Sequence, residues 1–117
     1  MARPLAVAVG HIIENIDRIA RYIDGKTEQD YLQDSILSDA VERCVERISE
    51  ASRSIPDDVK TNHPTVPWRD IASIGNILRH NYDAVGMPTV WKIATLDIPA
   101  LRPVILAIRA AIKDAGV

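Results

Sequence analysis

The chain has 117 residues, with 14 Lys and Arg set against 16 Asp and Glu. That length supports a single domain spanning residues 1–117, with a core that needs no disulfide or structural metal. The formal charge of −2 excludes the strong basic excess of a dedicated duplex-DNA binder, though not a local basic groove, because fields follow distribution as well as sum. One cysteine, Cys44, excludes an internal disulfide and a Cys-based zinc site. The apolar run at 5–9 is too short for a signal-peptide core and no stretch approaches a membrane span, so a reducing, cytoplasmic setting without membrane contact is expected.

Residues 11–24 place Ile12, Ile16, Ile19 and Ile23 at spacings of four, three and four, which predicts an amphipathic helix closed by Gly25. Residues 27–34 are polar and read as a short surface helix. From Ser35 the period resumes through Leu37, Val41, Cys44, Ile48 and Ala51. Cys44 lies in that stripe and reads as a small buried hydrophobe. The intervening Glu42, Arg43, Glu46, Arg47 and Glu50 read as a solvated face.

Residues 56–67 hold three prolines and little periodicity, and are expected to form a loop. Pro67 suits a first helical turn, and Ile71, Ile74 and Leu78 give the next helix its core stripe. Gly86, Met87 and Pro88 are expected to break that helix, with one more turn near 91–95. Trp68 and Trp91 flank these Pro-containing starts and read as core anchors. A last helix, rich in Ala and Ile, ends near Lys113; it begins either close to Pro103, or at Pro99 with a kink. Its segment 104–112 carries Arg109 as its one charge, so it is either central in the bundle or an interface. No alternating strand pattern occurs. The expected fold is all-α, an up-and-down bundle of four to five helices with four main ones.

The densest group of acid–base candidates is Asn76, Arg79, His80, Tyr82 and Asp83, at the end of the helix that follows Pro67. Asn76 and His80 share a helical face, with Asp83 a further turn along if the helix continues. His titrates nearest neutrality and can both take and return a proton. A guanidinium can stabilise charge on a phosphoryl group, and an amide can orient a ligand or the imidazole. RNA carries its own nucleophile in the 2′-hydroxyl, so assisted internal attack needs no metal, cofactor or covalent residue. His80 and Asp83 are too few to hold a metal, and His11 and His63 lie in distant segments. On composition alone, a His at a helix end is more often a cap or a structural hydrogen-bonder.

The segment 66–91 adds a more specific signal. Pro-Trp-Arg-Asp-Ile, then Asn-Ile-Leu-x-His-x-Tyr, then a Trp nine residues after the Tyr, resembles the HepT family of the HEPN superfamily. Ile-Ser-Glu-Ala-Ser-Arg-Ser-Ile-Pro at 48–56 is similar to that family's segment before the loop. The resemblance covers about residues 8–112. It implies an all-α homodimer, the toxin of a bacterial toxin–antitoxin pair, cleaving RNA without metal at a cleft between protomers. It also implies a minimal nucleotidyltransferase as antitoxin (the MNT type), which silences the toxin by transferring AMP to the tyrosine of His-x-Tyr. Carried over, His80 is the acid–base group, Tyr82 the modified tyrosine and Asn76 the polar residue after the motif arginine.

The departure lies at that arginine, expected five to seven residues before His80, where the sequence has Gly75, Ile74 and Ser73. By the adjoining Asn-Ile-Leu, Gly75 takes its place. Losing one donor aimed at a transition state costs on the order of 3 kcal/mol. Arg79, one turn from position 75, is the nearer replacement; Arg69 of a partner chain is the more remote one. Two readings follow: a ribonuclease using Asn76, Arg79 and His80, or a binding module that keeps the fold and dimer without catalysis. Arg79 directed into a cleft beside His80 favours the first, and Arg79 in solvent or paired with Asp83 favours the second. A third reading, an unrelated helical adaptor, requires His80 and Tyr82 to be buried.

Overall fold

A computed structural model describes residues 3–81, 83 and 85–114. Among these there is no strand, and the helices form an up-and-down bundle. Helix α1 spans Leu5–Ile23, α2 Glu28–Leu32, α3 Ser35–Ser52, α4 Asp57–Thr61, α5 Trp68–His80, α6 Met87–Lys92 and α7 Ile98–Asp114. The expected four main helices are α1, α3, α5 and α7. No helix among the described residues is long and apolar enough to cross a membrane.

Helix α1 starts six residues before the expected position, because Ala8 and Val9 extend the buried stripe of Ile12, Ile13, Ile16 and Ile19. Gly25, at φ +70°, turns the chain out of it. Helix α2 is opened by a capping box: the Asp30 N–H donates to Thr27 Oγ1 at 3.1 Å and the Thr27 N–H to Asp30 Oδ2 at 2.9 Å. The Thr27 backbone N–H first, and then the Thr27 hydroxyl, hold the Asp30 carboxyl below its ordinary range. Contrary to the surface expectation, α2 sends Tyr31 fully into the core, with its ring centroid 5.4 Å from that of Trp91. A polar stretch of eight residues gave no hint that one aromatic would be its anchor.

Helix α3 begins after Asp34, whose Oδ1 accepts from the Leu37 N–H at 3.0 Å. Its stripe, Cys44 included, is buried, and burial pushes the Cys44 thiol up from its ordinary pKa. The expected 56–67 loop contains α4, a five-residue helix. One and a half turns are too short to register as periodicity, and Asp57 and Asp58 sit in its first turn, where acidic groups favour helix formation. Pro67 is the residue before α5 and not part of its first turn.

The break expected at Gly86-Met87-Pro88 falls elsewhere. Helix α5 has already ended at His80, and these residues start α6, with Gly86 at φ +80° and Pro88 in the first turn. In place of a separate turn at 91–95, α6 passes through a π-helical turn, Ile93–Asp97, straight into α7. Pro99 has no N–H for the Thr95 carbonyl and its ring crowds that oxygen, a strain that a wider turn relieves. Of the two starts considered for α7, the one at Pro99 is right to one residue, and Pro103 lies inside the helix. Ile105 and Ile108 are buried whereas Ala107, Ala110 and Ala111 are exposed, so 104–112 presents one face to the core rather than being central.

Helix α3 is the axis of the packing, with α1 on one flank and α5 on the other; α7 covers α1, and α2 bridges α3 and α6. Both tryptophans pack against the core as anchors, and Trp68 Nε1 donates to the His63 carbonyl at 3.0 Å. Arg102 of α7 ties to Asp17 of α1 through both carboxylate oxygens, at 2.9 and 3.3 Å. That guanidinium holds the Asp17 carboxyl below its ordinary range.

Candidate functional site

The seam between α3 and α5 sets the positions of Asn76, Arg79 and His80. Ser49 of α3 is buried, accepts from the Gly75 N–H at 3.0 Å and donates to the Ala72 carbonyl at 3.1 Å. Arg53 donates to the same carbonyl through Nε and Nη2, at 3.1 and 2.8 Å. Position 75 leaves little room for a side chain. A Cβ on Gly75 would lie 2.7 Å from Ser49 Oγ and 2.9 Å from Ser49 Cβ, distances at which something must shift. The place that the resemblance assigns to an arginine therefore faces a neighbouring helix and not an open cleft. These contacts pair residues 53 and 49 with 72, then 49 and 46 with 75, so α5 runs antiparallel to α3.

Beyond the seam, α5 continues for five residues to His80. Asn81 leaves helical geometry at φ −149°, ψ 50°, donating its N–H to the Ile77 carbonyl at 2.8 Å. Asp83 is thus not carried on the helix face with Asn76 and His80; it is exposed beyond the helix end. Tyr82 lies outside the described residues. His80 is exposed, which removes the condition required by the unrelated-adaptor reading for that residue. Arg79 is held by Asn76, its Nη2 donating to Asn76 Oδ1 at 2.5 Å. It neither pairs with Asp83 nor stands free, and it forms one wall of a polar groove. Arg69 is exposed in the first turn of α5, eleven residues before His80, and the two do not meet within one chain.

That groove, about 420 Å³, runs over α3 between α1 and the end of α5. Five arginines line it, Arg3, Arg18, Arg43, Arg47 and Arg79, against Glu14, Glu46 and Glu50. On its α1 side, Arg3 contacts His11 Nδ1 at 3.0 Å and Arg18 pairs with Glu14 at 2.7 Å. The expected solvated face of α3 is therefore one side of a concave surface, a feature that pairwise spacing on a single helix does not reveal. A second groove, about 450 Å³, lies between α3, α5 and α7. It is apolar, with Asp70 and Asp97 and no basic side chain, so it is unsuited to an anion. Among the described residues, no group of three or more His, Cys, Asp and Glu is placed to hold a metal ion.

Chemically, the end of α5 offers an exposed imidazole beside a guanidinium that an amide steadies. The polar groove supplies further cationic side chains within reach of Arg79.

The chain is 38% identical over 91 residues to a probable ribonuclease HepT of Thermococcus cleftensis, covering 78% of this chain and 83% of that one. It is 33% identical over 108 residues to a gamma-glutamylcyclotransferase and putative RNase of Methanocaldococcus jannaschii, covering 92% of this chain. The match spans about half, 49%, of that longer protein. A putative RNase of Caldanaerobacter subterraneus is 30% identical over 91 residues, covering 78% of this chain and 81% of its own length. No solved structure matches. A family model described as ribonuclease HepT-like matches residues 12–108, which takes in the whole α3–α5 seam and the greater part of α1 and α7, and the chain belongs to the HepT-like family of the HEPN superfamily.

Proposed function

We propose that this chain is the toxin subunit of a HepT/MNT-type toxin–antitoxin pair, a single cytoplasmic domain that dimerises and cleaves RNA without a metal. The observation that carries this reading is the exposed His80 at the end of α5, next to an Arg79 held by Asn76 at the rim of an arginine-rich groove. In this reaction His80 takes the proton of a 2′-hydroxyl and O2′ attacks the adjacent phosphorus. The P–O5′ bond breaks, leaving a 2′,3′-cyclic phosphate, and an imidazolium returns a proton to the departing O5′. Arg79 faces the phosphoryl oxygens as charge develops, and Asn76 keeps its guanidinium in place. Acid–base assistance of this kind is worth about 10²–10⁴ in rate. Adenylylation of Tyr82 by a nucleotidyltransferase antitoxin puts a bulky anionic group two residues from His80 and silences the site.

Purified protein, confirmed by intact mass to be unmodified at Tyr82, is incubated with structured RNA in chelator beside His80→Ala. Cleavage that persists in chelator and is lost in the variant is the expected result. Absence of cleavage by the unmodified protein overturns the enzyme reading. The binding-module reading then stands, and it has its own support in Gly75, where contact with Ser49 leaves no room for the motif arginine.

A further inference from the structure

The register of α5 on α3 sets a second arginine opposite Arg79. Arg53 and Ser49 meet the Ala72 carbonyl, and Ser49 and Glu46 lie against Gly75, so the numbering falls along α3 as it rises along α5. Arg79, four residues beyond Gly75, therefore comes level with about residue 43 of α3, and His80 with about the same height. Gly75 is the residue that faces α3, and position 79 is one helical turn along the same side, so Arg79 leaves α5 next to α3. Arg43 is exposed there and lines the same polar groove as Arg79. Packed helices lie about 8–10 Å apart, a gap that two arginine side chains at one height can close on a single anion.

The charges at this end of the groove are not compensated within the chain. Asp39, four residues before Arg43, and Glu46, three after it, are spaced to pair with it. Yet among the described residues Arg43 forms no ion pair and no side-chain hydrogen bond, whereas Arg18 across the groove is taken by Glu14. Arg79 is held by the neutral amide of Asn76, which fixes its position and leaves its charge in place. The α3 glutamates of the groove, Glu46 and Glu50, stand near the heights of Gly75 and Ala72, away from His80. Two guanidiniums that converge without a carboxylate repel each other, and a phosphate between them turns that repulsion into two charge-assisted contacts.

We propose that Arg43 is a further catalytic residue of this chain: with Arg79 it clamps the phosphate that is attacked beside His80. This rests on the ribonuclease reading above and adds the second cation of its site. The cation enters from α3 because position 75, on α5, is closed by Ser49. Arg79, steadied by Asn76, and Arg43, free on the facing helix, each take a non-bridging oxygen, while His80 at the same height serves O2′ and O5′. Spacing along α5 cannot reveal such a residue, because Arg43 lies 37 positions before His80 on another helix.

The test uses the full chain with a structured RNA and a fully 2′-O-methyl copy of it, which has no hydroxyl to attack. Arg43→Ala and Arg79→Ala each weaken binding of the methylated strand by about tenfold or more. Two guanidiniums on one phosphate share a partner, so the loss in the double variant falls short of the product of the single losses by at least about threefold. Arg43→Lys keeps the charge without the planar fork and recovers only part of the loss. Lys113→Ala, a charge removed outside the groove, binds as the wild type does. Arg43 bonds to nothing in the fold, so its variants are expected to unfold in urea at the wild-type midpoint. On the cleavable strand, Arg43→Ala lowers kcat/KM by about 10²–10³, further than it weakens binding, and the excess falls on kcat. Single losses that simply multiply, an Arg43→Ala protein that binds as the wild type does, or an unchanged kcat would each overturn the clamp. A wild type that cleaves nothing yet shows the coupled binding losses refutes the nuclease reading and upholds the two arginines on one phosphate, so the two failures are distinguishable.

Discussion

Two helix-interior glycines should respond oppositely to the same substitution. Gly10 is exposed on α1, with nothing within 4 Å of where its Cβ would be. Gly10→Ala is therefore expected to stabilise the fold by about 0.5–1 kcal/mol through helix propensity and a less free unfolded chain. Gly75→Ala gains the same propensity but places a methyl 2.7 Å from Ser49 Oγ and 2.9 Å from Ser49 Cβ. The Cβ is fixed to the α3 backbone and cannot rotate away. The hydroxyl that could move is bonded to the Gly75 N–H and the Ala72 carbonyl. Overpacking of this kind costs about 1–3 kcal/mol and loss of those bonds about 1 kcal/mol each. A net loss of about 2–4 kcal/mol remains after the propensity gain. Urea unfolding of both variants checks the opposite signs. Ser49→Gly removes both close atoms, so it should couple to Gly75→Ala by at least about 1 kcal/mol in a double-mutant cycle. Additive effects, or a Gly75→Ala protein as stable as the wild type, would refute the close-packing argument.

The remaining predictions are more local. Cys44, 2% exposed and with its thiol pushed up by burial, should resist a disulfide exchange reagent in the folded chain and react at the unfolding rate; fast reaction of folded protein would refute its burial. Arg102 holds the Asp17 carboxyl below its ordinary pKa, so this pair stabilises the fold fully above the unfolded value of about 3.9 and progressively less as pH falls through the folded value. Arg102→Gln should raise the Asp17 pKa in a carboxylate NMR titration and flatten the acid limb of the stability profile below about pH 4. An unshifted titration would show that the ion pair does not persist in solution.

The bundle was legible where periodicity was long. The stripes of α1 and α3 recur over three or more turns and are largely buried; the shorter one of α5 buries Leu78 and half-buries Ile71 and Ile74, and α7 showed only as an Ala- and Ile-rich run. What escaped was short or non-local. Helices α2 and α4 span five residues each and carry no period. Tyr31 is an anchor only because the turn after α1 returns it to Trp91, sixty residues away. The cluster at the end of α5 was visible as composition, but the end of the helix at His80 was not, because Gly86 and Pro88 mark the start of α6 and not the end of α5. The groove was invisible for the same reason that the α3 stripe looked solvated: its other wall belongs to residues 3–18, a quarter of the chain away.

Gly75, where the resemblance expects an arginine, is tied to the helix pairing. A side chain at position 75 points at α3, and without one the helices approach closely enough for Ser49 and Arg53 to grip the Ala72 carbonyl. That grip fixes the height of α5 against α3, and so where Arg79 meets the groove one turn later. Position 75 lies on a face used for packing, whereas Arg79 lies on one that is still open. Restoring the family residue should accordingly fail. Gly75→Arg must part α5 from α3, breaking the three side-chain bonds to the Ala72 carbonyl and carrying Arg79 and His80 out of register. We expect a stability loss of more than about 2 kcal/mol by urea unfolding and RNA cleavage no faster than that of the wild type. A Gly75→Arg protein with undiminished stability and faster cleavage would show that the vacancy is a catalytic lesion, and that Arg79 does not fill it.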